Sequence, residues 1–185
     1  MENIKSHRPL IVNLFGGPGA GKSTLMALVY GVLKQEGVSV EMAPEFAKEL
    51  TWQNRQDALQ CQPYVFGEQL WRIESLCREG VETIVTDSPL LLSCVYGTIE
   101  WPPAFYKAVV DTAARYRSLN YFVRRIGAYD QRGRNETFSG ALDKDTQIEQ
   151  VLQQNHVSYR EVTKGPDCVA SIACSVLRAL RGSRS

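Results

Sequence analysis

The fold turns on residues 10–24, LIVNLFGGPGAGKST. A run of strand length, apolar but for Asn13, leads straight into GGPGAGKST, and the residues beyond Thr24 take up helical spacing. Residues 16–23 fit G-x-x-x-x-G-K-[ST] in the required strand-to-helix context, a match expected by chance only about 0.005 times in a chain of this composition. Glycines let a backbone turn its N–H groups inward around an oxyanion, and the helix that follows points its positive end at the same place. Gly17, Pro18, Gly19, Ala20, Gly21, Lys22, Ser23 and Thr24 are therefore read as a nucleotide cradle. Lys22 is expected to reach the β- and γ-phosphates of ATP, and the Ser23 hydroxyl to ligate Mg²⁺. A turn that merely joined strand to helix would have no need of lysine followed by serine.

Working outward, apolar runs of strand length recur at residues 38–42, 81–86, 120–123 and 157–162. Segments of helical spacing lie between and after them, at 21–35, 44–50, 63–79, 89–96, 102–117, 142–154 and 167–181. Pro44, Pro63, Pro89 and Pro102 fall at expected first turns, where a missing N–H costs nothing. Strands alternating with helices imply right-handed crossovers, so the chain is predicted to be an α/β protein: a five-stranded parallel sheet of order 2-3-1-4-5, with helices on both faces.

The chain has 185 residues, 44% of them hydrophobic, enough for one good core, and residues 1–185 are read as a single domain. A net charge of +1 offers no long-range field toward nucleic acid or an anionic membrane, so any anion must be bound locally. Five cysteines without a CxxC spacing and only two histidines argue against a disulfide framework and against zinc. Residues 1–8 are polar, and the apolar run after them is too short for a signal or membrane segment. A soluble cytoplasmic protein is expected. The apolar face of residues 102–117 reads as core or as an interface, which leaves monomer and homodimer open.

Two further stretches bear on chemistry. Residues 81–89, VETIVTDSP, form a strand that ends in Asp87 at the edge where open α/β sheets bind ligands, so Asp87 is a candidate for holding Mg²⁺ or taking a proton. Residues 124–140, RRIGAYDQRGRNETFSG, place Arg124, Arg125, Arg132 and Arg134 in a glycine-bearing connection at that same edge. Guanidinium groups suit charge spread over phosphoryl oxygens, and residues 124–141 are read as a lid that favours transfer over hydrolysis, with Arg125, Arg132 and Arg134 as catalytic candidates. No NKxD stretch indicates guanine, and Asp87 lacks the second acid of a motor. On the acceptor side, Glu45 in APEFAKEL is placed to bind or deprotonate a hydroxyl. Phe66, Gln69 and Arg72 are candidates for a base pocket, alongside a core role for most of that helix.

Taken in order, GGPGAGKST, APEFAKEL, YVFGEQLWRI, TDSPLLLSCVYG and YDQRGRNET resemble the small P-loop kinases of bacteriophages, related to thymidylate kinase and the nicotinamide ribonucleoside kinases. Within that group the chain is most similar to the phage 5-hydroxymethyluracil DNA kinases. The resemblance implies ATP on residues 16–23, with Lys22 and Arg134 on the moving phosphoryl group. It further implies Asp87 or Glu45 on the acceptor hydroxyl and the loop at 163–166, with Gly165, beside adenine. The implied acceptor is 5-hydroxymethyluracil in phage DNA, in the host cytoplasm. Nicotinamide riboside or a deoxynucleoside is the alternative acceptor, and a switch or ATPase without an acceptor the alternative class. Thymidylate kinases carry arginine after the strand-ending acid; Ser88 and Pro89 stand there here, which argues against a monophosphate acceptor.

Overall fold

The computed structural model describes residues 9–96, 101–126 and 137–182. Five strands, β1 Leu10–Phe15, β2 Val40–Ala43, β3 Thr83–Thr86, β4 Arg117–Arg124 and β5 Arg160–Thr163, pair in parallel in the order β2-β3-β1-β4-β5. That is the predicted order. Eight helices accompany them among the described residues: α1 Lys22–Gln35, α2 Phe46–Trp52, α3 Gln56–Gln60, α4 Gln62–Arg78, α5 Ser93–Tyr96, α6 Pro103–Ala113, α7 Phe138–Gln154 and α8 Pro166–Arg181. None is long and apolar enough to cross a membrane.

Alternation along β1 shows how the cradle is fixed in place. Leu10, Val12 and Leu14 point into a cluster with Leu25, Val29 and Leu33 of α1 and Val169, Ile172 and Val176 of α8. On the other face Ile11 meets Ile73 of α4, and Phe15 meets Val109 of α6 and Ile148 and Leu152 of α7. A strand buried on both faces cannot slip register without exposing one of its apolar sets, so its carboxyl end is a rigid point of departure. The polar exception, Asn13, donates from Nδ2 to Asn120 Oδ1 at 2.9 Å across the β1–β4 ladder, which offsets the cost of placing an amide there.

Several boundaries differ from the sequence reading, among them β5, which spans Arg160–Thr163 where 157–162 was predicted, and α7, which starts at Phe138 where 142 was predicted; two others bear on the sheet and the site. Helix α6 stops at Ala113, and β4 already begins at Arg117, where continued helix was predicted. Arg117, Ser118 and Leu119 pair with Leu10, Ile11 and Val12, because a central strand's backbone groups need a partner along their whole length. Helix α2 runs to Trp52, two residues beyond the predicted end. That small extension carries a tryptophan into the site described next.

Candidate functional site

Gly21 caps α1 at φ 96°, ψ 16°, the left-handed conformation glycine adopts without strain, and no side chain closes the helix end. The first N–H groups of α1 are thereby left to a ligand. Lys22 Nζ donates to Gly16 O at 2.6 Å and Gly17 O at 3.1 Å, so the loop's own carbonyls aim its ammonium. Burial lowers the Lys22 pKa, while the carboxylates of Glu45, Asp87 and Asp145 act in the opposite direction; Arg125 reinforces the lowering. An ammonium so desolvated gains most when anionic phosphoryl oxygens arrive.

The carboxyl ends of β2 and β3 form the neighbouring wall. Thr86 Oγ1 donates to Ala43 O at 2.8 Å and accepts from Ser88 N, which ties the two strand ends together. Asp87, only 2% exposed, accepts the backbone N–H of Glu45 at 3.0 Å. This pins the start of α2, where Glu45 is the N-cap residue in extended conformation. Ser23 on α1 and Asp87 at the end of β3 suit Mg²⁺, which commonly takes one or two protein oxygens and completes its shell with nucleotide phosphates and water. Among the described residues no group of three or more acidic, cysteine or histidine side chains forms a cage for a metal on its own.

A cleft of about 430 Å³ joins these parts. Its phosphate end is formed by Pro18, Gly19, Gly21, Lys22, Ser23 and Thr24. Beyond Glu45 it continues between Lys48, Thr51 and Trp52 of α2, Gln62 and Val65 of α4, and Leu92, Ser93 and Tyr96 near α5. Glu45, Lys48 and Trp52 follow one another at i, i+3 and i+7, a stripe roughly 10 Å long along one side of a helix. Trp52 is 68% exposed although it lines the cleft.

The sequence-predicted residues divide into three groups. Pro18, Gly19, Gly21, Lys22, Ser23, Thr24 and Glu45 line the cleft, Asp87 lies behind Glu45 and holds its N–H, and Gly17 and Ala20 complete the loop. Lys164, next to Gly165, lies so near the cradle that a Cβ on Gly21 would sit 3.2 Å from its Cδ. Arg132, Arg134 and most of the expected lid lie outside the described residues. Phe66, Gln69 and Arg72 do not line the cleft. Phe66 packs edge-on against Phe105 at 6.0 Å. Gln69 is buried, its Oε1 accepting from Phe46 N at 3.1 Å and its Nε2 donating to Ala43 O at 3.4 Å. Arg72 pairs with Glu49 at 2.7 Å and lies over the Phe46 ring. These three brace the wall from behind. Arg125 likewise faces α7 and the back of the loop, and Arg124 joins Glu149 and Glu161, which hold its guanidinium pKa above the ordinary value.

The cleft residues that sequence reasoning missed include Lys48, Thr51, Trp52, Gln62 and Tyr96. The available signal was the helical stripe that starts at Glu45, cut short by ending α2 at residue 50. A family model described as an AAA domain, AAA_28, matches residues 11–166, from the second residue of β1 to the first of α8. No curated protein matches the chain.

Proposed function

Because the chain belongs to the AAA-domain family AAA_28, a family of P-loop NTPases, we propose that it is an ATP-dependent phosphotransferase that passes the γ-phosphate to an alcohol on a base or nucleoside. The observation that carries this reading is the extent of the cleft: a hydrolase needs room for one water beyond the γ-phosphate, whereas here the cleft that holds the phosphate loop is lined as well by Lys48, Trp52, Gln62 and Tyr96. The best acceptor is the hydroxymethyl group of 5-hydroxymethyluracil in DNA, presented single-stranded or extruded from the duplex. Support comes from the resemblance of the motifs and from an exposed tryptophan beside a lysine, a pairing suited to a planar base with a neighbouring phosphate.

In the proposed step the acceptor oxygen attacks the γ-phosphorus, the bond to the β–γ bridging oxygen breaks, and ADP leaves with that electron pair. The hydroxyl proton passes to Glu45. This carboxylate is preferred as base because it lines the cleft, whereas Asp87 is buried and engaged with the Glu45 N–H. Lys22 and the α1 N-terminus stabilise charge on the β- and γ-phosphoryl oxygens. Mg²⁺, when bound, neutralises further phosphate charge; Ser23 and Asp87 would hold it. Arg132 and Arg134 are proposed to meet the transferring group as well.

The test is transfer of labelled γ-phosphate from ATP to matched acceptors: an oligonucleotide with 5-hydroxymethyluracil, the same oligonucleotide with thymine, free 5-hydroxymethyldeoxyuridine, common nucleosides and nicotinamide riboside. Label confined to the hydroxymethylated oligonucleotide is the expected result. Label on a free nucleoside alone would discard the DNA acceptor, and label only in inorganic phosphate would discard the kinase.

A further inference from the structure

Arg124 and Arg125 are consecutive at the end of β4, yet their side chains serve different partners. Arg124 reaches the carboxylates of Glu149 and Glu161. The Arg125 side chain, 8% exposed, lies between the phosphate loop and α7. Its Nη1 donates to Pro18 O, and its Nη2 donates to Asp145 Oδ2 at 3.0 Å and to Ala141 O at 3.5 Å. Asp145, 16% exposed, takes the Gly17 N–H on its other oxygen at 2.5 Å. The approach of α7 is so close that a Cβ on Gly17 would lie 2.6 Å from Ala141 O and 2.9 Å from Asp145 Oδ1, which leaves room only for glycine.

Neither Arg125 nor Asp145 lines the nucleotide cleft. The Asp145 contact falls on a peptide unit whose opposite side meets Lys22: the Gly17 N–H is held by Asp145, while the Gly16 carbonyl of the same unit receives Lys22 Nζ. Lys22 also reaches the Gly17 carbonyl, and Arg125 holds the next carbonyl along, that of Pro18. A buried ion pair is a weak device for stability, since desolvation offsets most of its attraction and a packed apolar contact would hold α7 to the loop as well. An apolar contact cannot grip an N–H or a carbonyl in a chosen direction. A forked guanidinium and a two-oxygen carboxylate can.

We propose that Arg125 and Asp145 form a positioning clamp that sets the direction of Lys22 from behind the phosphate loop. The pair is distinct from the transfer machinery because it need not touch the nucleotide. Its charges act on Lys22 in opposite directions: Asp145 favours the charged form and Arg125 opposes it. The clamp also ties the chain just before residues 127–136 to the chain just after them, with the loop's own backbone between. The proposal rests on the nucleotide-binding reading of the loop and is independent of which acceptor is used.

The test is a double-mutant cycle on the full chain, read by ATP affinity in Mg²⁺ and by single-turnover loss of γ-phosphate. Asp145→Asn opposes an amide N–H₂ to the Arg125 guanidinium and opens the clamp. Gly17→Ala pushes α7 away from the other side. Each is expected to lower the rate about 10²-fold, the scale of a misplacement near 1 Å, with native circular dichroism. Because the clamp acts through Lys22, adding Asp145→Asn to Lys22→Ala should weaken ATP binding by no more than about twofold beyond Lys22→Ala alone.

A wild-type rate in Asp145→Asn, or independent penalties that add in the double variant, would overturn the clamp. If Asp145→Asn does not fold, Arg125→Lys decides, since it keeps the charge and loses the fork: a rate loss partly relieved relative to Arg125→Ala is expected, and wild-type behaviour in both overturns the proposal. Lys107→Ala, which removes an exposed pair with Asp111, is the unaffected control. Should Lys22→Ala itself bind and turn over ATP normally, the nucleotide reading of the loop fails, an outcome separate from failure of the clamp.

Discussion

The two walls of the cleft are built on opposite plans. On the phosphate side the working groups are main chain, namely the first N–H groups of α1 and the carbonyls that aim Lys22, carried by a strand buried on both faces. On the proposed acceptor side the groups that face the cleft are side chains on a seven-residue helix, α2, held from behind by Asp87, Gln69 and Arg72 and displaying Lys48, Thr51 and Trp52 in front. Backbone geometry can change only if the chain path changes, whereas displayed side chains can be exchanged with little effect on the frame. The first wall is therefore suited to invariable chemistry and the second to selection. Substitutions on the two walls should fail in different ways.

The largest effect is expected on the phosphate wall. Lys22→Ala should reduce phosphoryl transfer by about 10²–10³-fold, the scale of losing one preorganised donor to developing charge, with the fold intact by circular dichroism. Retention of a tenth of the wild-type rate would erase the distinction between the walls. Next comes Asp87→Asn, which keeps an acceptor for the Glu45 N–H but removes the charge. A titration of activity against Mg²⁺ should show a requirement raised by about 10–100-fold, in the range seen when a metal site loses a supporting carboxylate. Normal activity at low Mg²⁺ would reduce Asp87 to an anchor for α2.

Gln69 and Trp52 sharpen the comparison from the other side. Gln69→Leu leaves the Phe46 N–H buried without its acceptor and should lower stability by about 1–3 kcal/mol in urea unfolding. The KM for acceptor should stay unchanged, because Gln69 does not line the cleft. Trp52→Ala should do the reverse: unchanged unfolding, unchanged ATP hydrolysis without acceptor, and an acceptor KM raised about fivefold, the low end of one stacked base. A change in stability from Trp52, or in KM from Gln69, would mean that the front and the back of the wall have been exchanged.

How much of this was legible in the chain follows the same division. The phosphate wall is local in sequence: a strand, nine residues and a helix start suffice to identify it, and residues 17–24 stand where the motif requires. The sheet order was legible because apolar runs and crossovers leave few arrangements. The acceptor wall depends on which way a helix face turns, and that is set by packing between α2 and α4. Thus Gln69, which reads in sequence as an amide for a base, serves two backbone groups of β2 and α2 instead. Trp52 escaped notice because a helix end was placed two residues early, after an apolar residue that looked like a natural last turn. Arg125 is the sharpest case. In sequence it belongs with the lid arginines, yet Asp145, twenty residues on, draws it to the back of the loop.

Arg72 and Glu49 give the smallest effect and the finest test of the acceptor wall. Their pair, at 2.7 Å with side chains 24% and 48% exposed, spans from α4 to α2 on the side away from the cleft. The hydrogen bond from Arg72 holds the Glu49 pKa below the ordinary 4.5 against the opposing effect of burial, and the Arg72 charge adds to the lowering. A carboxyl depressed on folding stabilises the native state above its unfolded pKa, and that contribution is lost as pH falls through the folded value. Solvent screening at this exposure limits the pair to about 0.2–1 kcal/mol. Glu49→Gln should accordingly lower stability by that amount at pH 7 and by less at a pH below the ordinary 4.5, where the unfolded carboxyl is protonated and the folded one follows as pH falls further. Acceptor KM should not move at either pH. If it does, Arg72 senses the acceptor through the helix it braces, and the back of the wall takes part in selection as well as support.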